Sequence, residues 1–243
     1  MVVAGLHRSV RRRKLLAGLD LRIPVGARVL LVSDPPGADS LLLGILAGLV
    51  RARRGRFEVA GLARDDDSTG GWRRRIAYLP PDGGFYGWLS PREVLELAGR
   101  LAGYEPAERR RRIDAAVEQY GLAGEMNRPA SRGGPALAQR VGLAAAMLGD
   151  PEVLLLDEPL RAVGATERRR LLEIPGERRT VLLVSRYPAS EEGLVDRVVL
   201  IRGGRVALQA RAGELAAHGL TLSMQGIRDL AQRQAAPPIA ASA

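Results

Sequence analysis

Two short segments carry residue types that could handle a phosphate group. The first is a loop, Ser33-Asp-Pro-Pro-Gly-Ala-Asp-Ser40, which joins an apolar run to a second apolar run. The second is Val153-Leu-Leu-Leu, which ends in the carboxylates Asp157 and Glu158. A phosphate loop wraps its ligand with backbone N–H groups and adds a lysine for the phosphate oxygens and a Ser or Thr for Mg²⁺. Strand, loop, helix and a distant strand ending in acids are the layout of such a site.

Strands and helices alternate along the chain and must bring these two segments together. Short apolar runs predict strands at 19–23, 27–32, 56–59, 75–79, 153–157, 180–185, 195–201 and 206–209. The capping box Ser90-Pro-Arg-Glu93 begins a helix that reaches about Ala102. Further helices are predicted at 40–49, 106–120 and 135–149. This pattern indicates an α/β sheet with an all-helical insertion, followed by a flexible tail from about Gly226.

The composition is that of a soluble globular chain and narrows the class of partner. The 243 residues are 46% hydrophobic and carry a net charge of +10, and the absence of cysteine excludes disulfides and cysteine-ligated metals. Lys14 is the only lysine, and many arginines stand among acids, as in 108–112 and 167–170, where pairing on a helix surface is expected. We therefore expect no nucleic-acid partner, although the basic charge could favour an anionic membrane surface.

No segment predicts a membrane span or a signal peptide. The longest apolar run, Leu41–Val50, is too short to cross a bilayer. The arginines near the N-terminus follow a short apolar start, which is the reverse of the order in a signal peptide. We expect a cytoplasmic chain that is peripheral to a membrane when a partner holds it.

Several short sequence segments follow one another in a characteristic order. They are Leu43-Gly-Ile-Leu-Ala-Gly-Leu49, Arg75-Ile-Ala-Tyr-Leu-Pro80, Gly149-Asp-Pro-Glu-Val-Leu-Leu-Leu-Asp-Glu-Pro159 and Asp196-Arg-Val-Val-Leu-Ile-Arg-Gly-Gly204. With them, the chain resembles the ABC-type ATPase family over roughly residues 1–217. The resemblance implies a P-loop NTPase-like α/β core with an antiparallel β-subdomain and a helical subdomain at about 83–150. The implied domain covers 1–225, and the tail covers 226–243.

The loop that holds phosphate in this family is altered at most of its positions. Ser33 and Ala38 stand where the family has glycine, Pro36 lacks an N–H donor, and Asp39 stands at the lysine position, while Gly37 adds flexibility. Exchanging a positive for a negative charge beside a phosphate changes the Coulomb energy by several kcal/mol. That change would remove most of a micromolar affinity, which is worth about 8 kcal/mol. We expect no cofactor to bind tightly, and ATP and Mg²⁺ at most weakly.

The resemblance also gives roles to three residues that keep the family's chemistry. Ser40 and Asp157 would contact Mg²⁺, and only if a Mg-nucleotide binds, while Glu158 would be the general base for the attacking water. A structural interpretation is that the two acids at the strand end serve folding or ion pairing. Because the loop is altered, we interpret Glu158 as a vestigial catalytic residue.

Other family positions carry unexpected residues. The adenine-stacking aromatic falls at Val10, the glutamine beside the metal at Pro81, the aspartate of the dimer-contact loop at Gly164 and the γ-phosphate-sensing histidine at Arg186. The signature loop falls at Gly134-Pro-Ala136, without the serine that would touch a partner's γ-phosphate. With a two-residue insertion, Arg132-Gly-Gly134 could serve instead.

The family's geometry implies that Asp39, Asp157 and Glu158 converge. Like charges at close range raise a pKa or require a cation. We therefore expect Arg186 to pair with Glu158 or Asp39, although it could instead point to solvent. Breaking a buried pair of this kind would cost roughly 3–5 kcal/mol.

The leading hypothesis is a degenerate, non-hydrolysing ABC transporter ATP-binding subunit. It would dock on a multi-span membrane permease and pair with itself or with an intact ABC ATPase subunit. The alternatives are a weak or unorthodox ATPase that uses Glu158, and a soluble scaffold or regulator without a transporter. Phe85, Tyr86 and Trp88 stand where similar proteins form the groove for the permease, so they either anchor that partner or pack inside the helical subdomain.

Overall fold

The structure, a computed structural model, describes residues 1–59, 61–63, 71–174 and 178–235. The strands are β1 (Val2–Val10), β2 (Arg13–Arg22), β3 (Arg28–Asp34), β4 (Arg54–Val59), β5 (Leu62–Ala63), β6 (Ile76–Leu79), β7 (Val153–Asp157), β8 (Thr180–Val184), β9 (Arg197–Arg202) and β10 (Arg205–Arg211). The helices are α1 (Ala38–Leu46), α2 (Gly71–Arg74), α3 (Pro91–Leu101), α4 (Pro106–Gln119), α5 (Gly134–Leu148), α6 (Ala165–Leu172), α7 (Ala212–Ala217) and α8 (Met224–Ala235).

A six-stranded sheet in the order β10-β9-β3-β8-β7-β6 forms the centre of the molecule. Its strands are parallel apart from the β9–β10 hairpin. All residues of β7 and β8 are buried, because both faces of the sheet are covered, and both strands are therefore nearly continuous apolar runs. Since β3, β8 and β7 run in one direction, the loop after β3 and the acids at the end of β7 meet at the same edge. This edge carries the candidate site.

A second sheet, antiparallel and in the order β2-β1-β4-β5, packs on the first. Neither β1 nor the first half of β2 was expected, because the adjacent basic pairs His7-Arg8 and Arg13-Lys14 interrupt their apolar runs. The turn between them has two central residues, Arg11 with φ 47° and Arg12 with φ 66°. Left-handed backbone costs a non-glycine residue roughly 1–2 kcal/mol, so this turn is unfavourable for arginine.

Helices α3, α4 and α5 form the helical subdomain. The predicted capping box is present: the Ser90 hydroxyl accepts from the Glu93 N–H, and the Glu93 carboxylate accepts from the Ser90 N–H at 2.8 Å. Tyr120 and Leu122 are fully buried in the shared core. The structure thus has the predicted α/β core together with an antiparallel subdomain and a helical subdomain.

The prediction of a flexible tail from Gly226 is wrong for residues 226–235, which belong to α8. Ile227, Leu230 and Ala231 stand at helical spacing and are buried against the sheet, so packing stabilises this helix despite its glycine. Residues 236–243 lie outside the described residues. Among the described helices, none has both the length and the apolar character needed to span a bilayer.

Candidate functional site

The loop between β3 and α1 directs its backbone N–H groups at its own side chains. Asp39 Oδ1 accepts hydrogen bonds from the N–H of Gly37 at 3.1 Å and of Ser40 at 3.0 Å. Ser33 Oγ accepts from the N–H of Ala38 at 3.2 Å. Asp39 is only 8% exposed, and Ser33 is buried beside it. The donors that a phosphate would use at the start of α1 therefore already have acceptors, and Pro36 has no N–H to offer.

The next layer of the site joins Ser40 to Asp157. The Ser40 hydroxyl donates to Asp157 Oδ1 at 2.9 Å, and the Tyr78 hydroxyl donates to Oδ2 at 3.2 Å. Burial raises the pKa of Asp157, and the two hydrogen bonds partly oppose that rise. Burial and the neighbouring carboxylate also raise the pKa of Tyr78, which keeps its proton available to donate. In the described part of the chain no cluster of three or more His, Cys, Asp or Glu side chains could hold a metal ion.

The predicted ion pair between Arg186 and Glu158 is present. Glu158 Oε1 accepts from Arg186 Nε and from the Arg186 backbone N–H, both at 3.0 Å. Burial raises the pKa of Glu158, while Arg186 lowers it. The pair is less buried than expected, because the Arg186 side chain is 60% exposed and only Glu158, at 12%, is covered. Solvent screening therefore reduces the expected cost of breaking it.

We expect Arg186→Ala to lower the free energy of unfolding by no more than about 1 kcal/mol, because the arginine is largely solvated. Urea denaturation measures this change, with Arg161→Ala as the control at an exposed arginine on the same cavity. A loss of 3 kcal/mol or more would contradict it, since such losses are typical of buried pairs.

A cavity of about 480 Å³ lies over this site. Its lining includes three carboxylates and three arginines: Asp39, Asp157, Glu158, Arg161, Arg186 and Arg228. Arg228 on α8 donates to Asp34 Oδ2 at 2.9 Å, and Arg202 approaches the same oxygen at 3.5 Å. Sequence analysis missed Arg228 because it placed α8 in a flexible tail. The spacing of apolar residues in α8 was the available indication.

Gln139 is a second residue that sequence analysis did not single out. It is 1% exposed on α5, and its Nε2 donates to the Pro81 carbonyl at 2.8 Å and to the Glu158 carbonyl at 3.3 Å. Its Oε1 accepts from the Ala162 N–H at 3.3 Å. One side chain thus joins the helical subdomain to the segments on both sides of the site. A lone amide in an otherwise apolar helix face was its sequence signature.

Arg168 and Glu191 form the most buried ion pair near the site. Arg168 Nη2 donates to both Glu191 oxygens, at 2.8 and 3.0 Å, and Arg168 Nε donates to the Pro159 carbonyl at 3.1 Å. The Glu191 side chain is fully buried. Sequence analysis expected the arginines of this helix to pair with Glu167, but Glu167 pairs with Arg140 at 3.7 Å.

The other predicted positions lie in several different elements. Val10 is exposed at the end of β1, and Pro81 follows β6 and accepts from Gln139. Gly164 is the N-cap of α6. Residues 134–136 form the first turn of α5, while residues 132–133 end the 3₁₀ turn before it.

Phe85 and Tyr86 of the aromatic segment line a groove of about 790 Å³, here called the aromatic groove. Tyr86 and Trp88 are 65% and 67% exposed and stack with ring centroids 4.3 Å apart. Phe85 is partly buried against the core, and Leu49 also lines the groove. Of the two hypotheses for these aromatics, packing inside the helical subdomain applies to Phe85 alone.

Comparisons with known proteins match this chain to one family. The family model for ABC transporters matches residues 16–161. The daunorubicin resistance ATP-binding protein DrrA3 of Streptomyces coeruleorubidus is 32% identical over 89% of this chain and 70% of its own. The aliphatic sulfonates import ATP-binding protein SsuB of Pseudomonas putida is 34% identical over 84% of this chain and 73% of its own.

Solved structures confirm the predicted fold class, a P-loop NTPase-like ABC-type α/β core with antiparallel and helical subdomains. An ATP-binding subunit of an ABC transporter superposes with a TM-score of 0.81 at 23% identity, covering 95% of this chain and 98% of that one. A dimeric ATP-binding cassette in a post-hydrolysis state, bound to ADP and phosphate, gives a TM-score of 0.75 at 17% identity, covering 86% of this chain and 97% of that one.

Proposed function

The chain belongs to the ABC transporter family as an ATP-binding subunit, and we propose that it is a non-hydrolysing member whose phosphate site is filled by its own side chains. It docks on a membrane permease and transmits shape changes. It pairs with itself or with an intact ATPase subunit, and it lies on the cytoplasmic face of the membrane.

One observation carries this proposal: the Asp39 carboxylate takes the N–H groups of Gly37 and Ser40. A carboxylate there is an internal anion at the start of α1, where the helix dipole and free N–H groups favour negative charge. A triphosphate would have to displace Asp39 and then lie beside its charge. Glu158, the residue at the general-base position, is likewise engaged by Arg186. The residues present therefore do not fit Mg-ATP.

We expect about 1 mM ATP with Mg²⁺ to leave the melting temperature of the purified chain unchanged. A ligand that binds only the folded state must raise this temperature, so thermal-shift titration measures the result directly. A saturable rise would support the weak-ATPase alternative instead.

The groove beside Phe85 and Tyr86 supports docking on a permease. Exposed large aromatics beside a groove are typical of protein interfaces, where a few of them supply most of the binding energy. The names of the two relatives refer to daunorubicin resistance and to the import of aliphatic sulfonates, and both relatives are ATP-binding proteins similar to this chain. A membrane subunit is the partner that this groove serves.

We expect Trp88→Ala to reduce co-purification of the permease from native membranes by tenfold or more, since loss of an aromatic anchor commonly costs about 2 kcal/mol. Tyr187→Ala removes an aromatic of similar exposure, 70%, outside this groove and is the matched control. Circular dichroism must show that both variants are folded. Equal retention of the permease by the two variants would contradict docking through this groove.

A further inference from the structure

One end of the four-stranded sheet carries a dense group of basic side chains. We call it the basic tip, and its residues, all exposed, are Arg11, Arg12, Arg13, Lys14, Arg51, Arg53 and Arg54. The chain as a whole has a net charge of +10. A large part of that excess is therefore concentrated at one place on the surface.

The strand register brings these residues together from separate segments. Lys14 lies opposite Ser9 on one side of β1, while Arg54 lies opposite His7 on the other side. The Arg53 N–H donates to the His7 carbonyl at 2.9 Å. With strands about 4.8 Å apart and a rise of about 3.3 Å per residue, the basic tip spans roughly 15 Å.

The basic tip is not neutralised by acids of the described residues. The acids of the described part of this sheet are toward its other end, where Asp20 accepts from the Gly5 N–H and Glu58 lies opposite Val2. Elsewhere arginines do pair, as Arg111 and Arg112 do with Glu108. Within the described residues, no tip side chain has an ion-pair partner at 4.0 Å or less.

The backbone of the turn gives a second, independent observation. Arg11 and Arg12 hold the two left-handed positions of a two-residue hairpin, at φ 47° and 66°. Such turns strongly favour Asn-Gly, because both positions need positive φ. Arginine at both positions opposes the turn geometry, so hairpin stability does not explain these charges. Their charge does.

The position of the basic tip points to the occupant. Leu49 lines the aromatic groove, and Arg51 is two residues further along the chain. The basic tip is therefore next to the surface that we propose docks on the permease. Among its residues there is no Phe, Tyr or Trp on which a nucleic-acid base could stack. We propose that the basic tip binds the anionic phospholipid surface beside the permease, an inference that rests on the proposed function for its location. Flexible, separated cations fit a fluid layer of lipid phosphates.

The test is co-sedimentation of the purified full-length chain with vesicles. Equimolar phosphatidylglycerol and phosphatidylcholine should bind it, and phosphatidylcholine alone should not. Raising the salt from about 0.1 M to about 1 M should release it, because the Debye length falls from about 10 Å to about 3 Å. Arg11→Asn with Arg12→Gly suits the turn and should keep or raise the melting temperature. It should nevertheless lower the partition coefficient about 25-fold, at roughly fivefold per basic residue.

Arg100→Gln with Arg110→Gln removes the same charge from exposed positions on α3 and α4 and should lower partitioning far less. An equal loss in both double variants would overturn the proposal, as would tighter binding to a duplex or single-stranded oligonucleotide at equal phosphate concentration. This result is separable from the docking proposal. If vesicles do not bind while Trp88→Ala still loses the permease, the lipid inference fails and the docking proposal stands.

Discussion

A chain carrying Ser33→Gly, Pro36→Gly, Ala38→Gly and Asp39→Lys is expected to bind Mg-ATP, whereas we expect the natural chain not to bind it. The substitutions restore an N–H donor, free the loop to wrap a phosphate and remove the internal carboxylate. They also place a positive charge at position 39, where the natural carboxylate accepts hydrogen bonds from the N–H groups of Gly37 and Ser40. At an effective dielectric constant of about 20, one unit charge about 4 Å from another is worth about 4 kcal/mol. Reversing its sign changes the interaction by several kcal/mol even after screening.

The expected pattern has two parts. Without nucleotide the variant should melt below the natural chain, because buried N–H groups lose their acceptor at about 1–3 kcal/mol each. With Mg-ATP at about a hundred times its Kd the variant should regain about 2.7 kcal/mol, which for a chain of this size is roughly 5–10 °C.

Asp39→Asn is the matched control for this experiment. Its side-chain oxygen can still accept from the loop, and it adds no cation, so it should keep the melting temperature and remain insensitive to ATP. If Mg-ATP did not raise the melting temperature of the quadruple variant, then Asp39 and the missing glycines would not be what prevents the natural chain from binding it.

Arg168→Met should be the most destabilising single change near the site, with a loss of roughly 3–5 kcal/mol in the free energy of unfolding. The substitution leaves the carboxylate of Glu191 buried without its cation, and this side chain is fully buried. It also removes the donor to the Pro159 carbonyl, next to Glu158. A drop of roughly 6–20 °C in melting temperature is expected for a chain of this length.

Two further variants separate this effect from a general loss of arginine. Arg169→Met removes an exposed neighbour that bonds only a backbone carbonyl, that of Glu192, and should change stability little. Arg168→Met with Glu191→Leu removes both charges and should recover most of the loss, since an apolar pair can replace a buried ion pair. If the double variant were no more stable than Arg168→Met alone, the penalty would not come from the unpaired carboxylate.

The local sequence pattern was enough to predict much of the fold and to identify the residues of the site. The buried strands β7 and β8 are continuous apolar runs, and the capping box at Ser90 fixes the start of α3, so both features depend on neighbouring residues alone. The phosphate loop was recognisable for the same reason. Pro36 stands in the loop after β3 and Asp39 in the first turn of α1, and the order of strand, loop and helix leaves few alternatives for their roles.

What the sequence by itself determined is therefore which residues stand at the site and that Asp39 carries the wrong charge for a phosphate. Only the structure showed what that charge does, because the sequence allows several rotamers and the one adopted turns the carboxylate onto its own loop, at 3.1 Å from the Gly37 nitrogen. The same holds for Arg228, which contacts Asp34 from 194 residues away, and for Arg168, which reaches Glu191 across 23 residues. Such partners are chosen by which side chains share a buried space. That space exists only after the sheet, its loops and α8 have packed together.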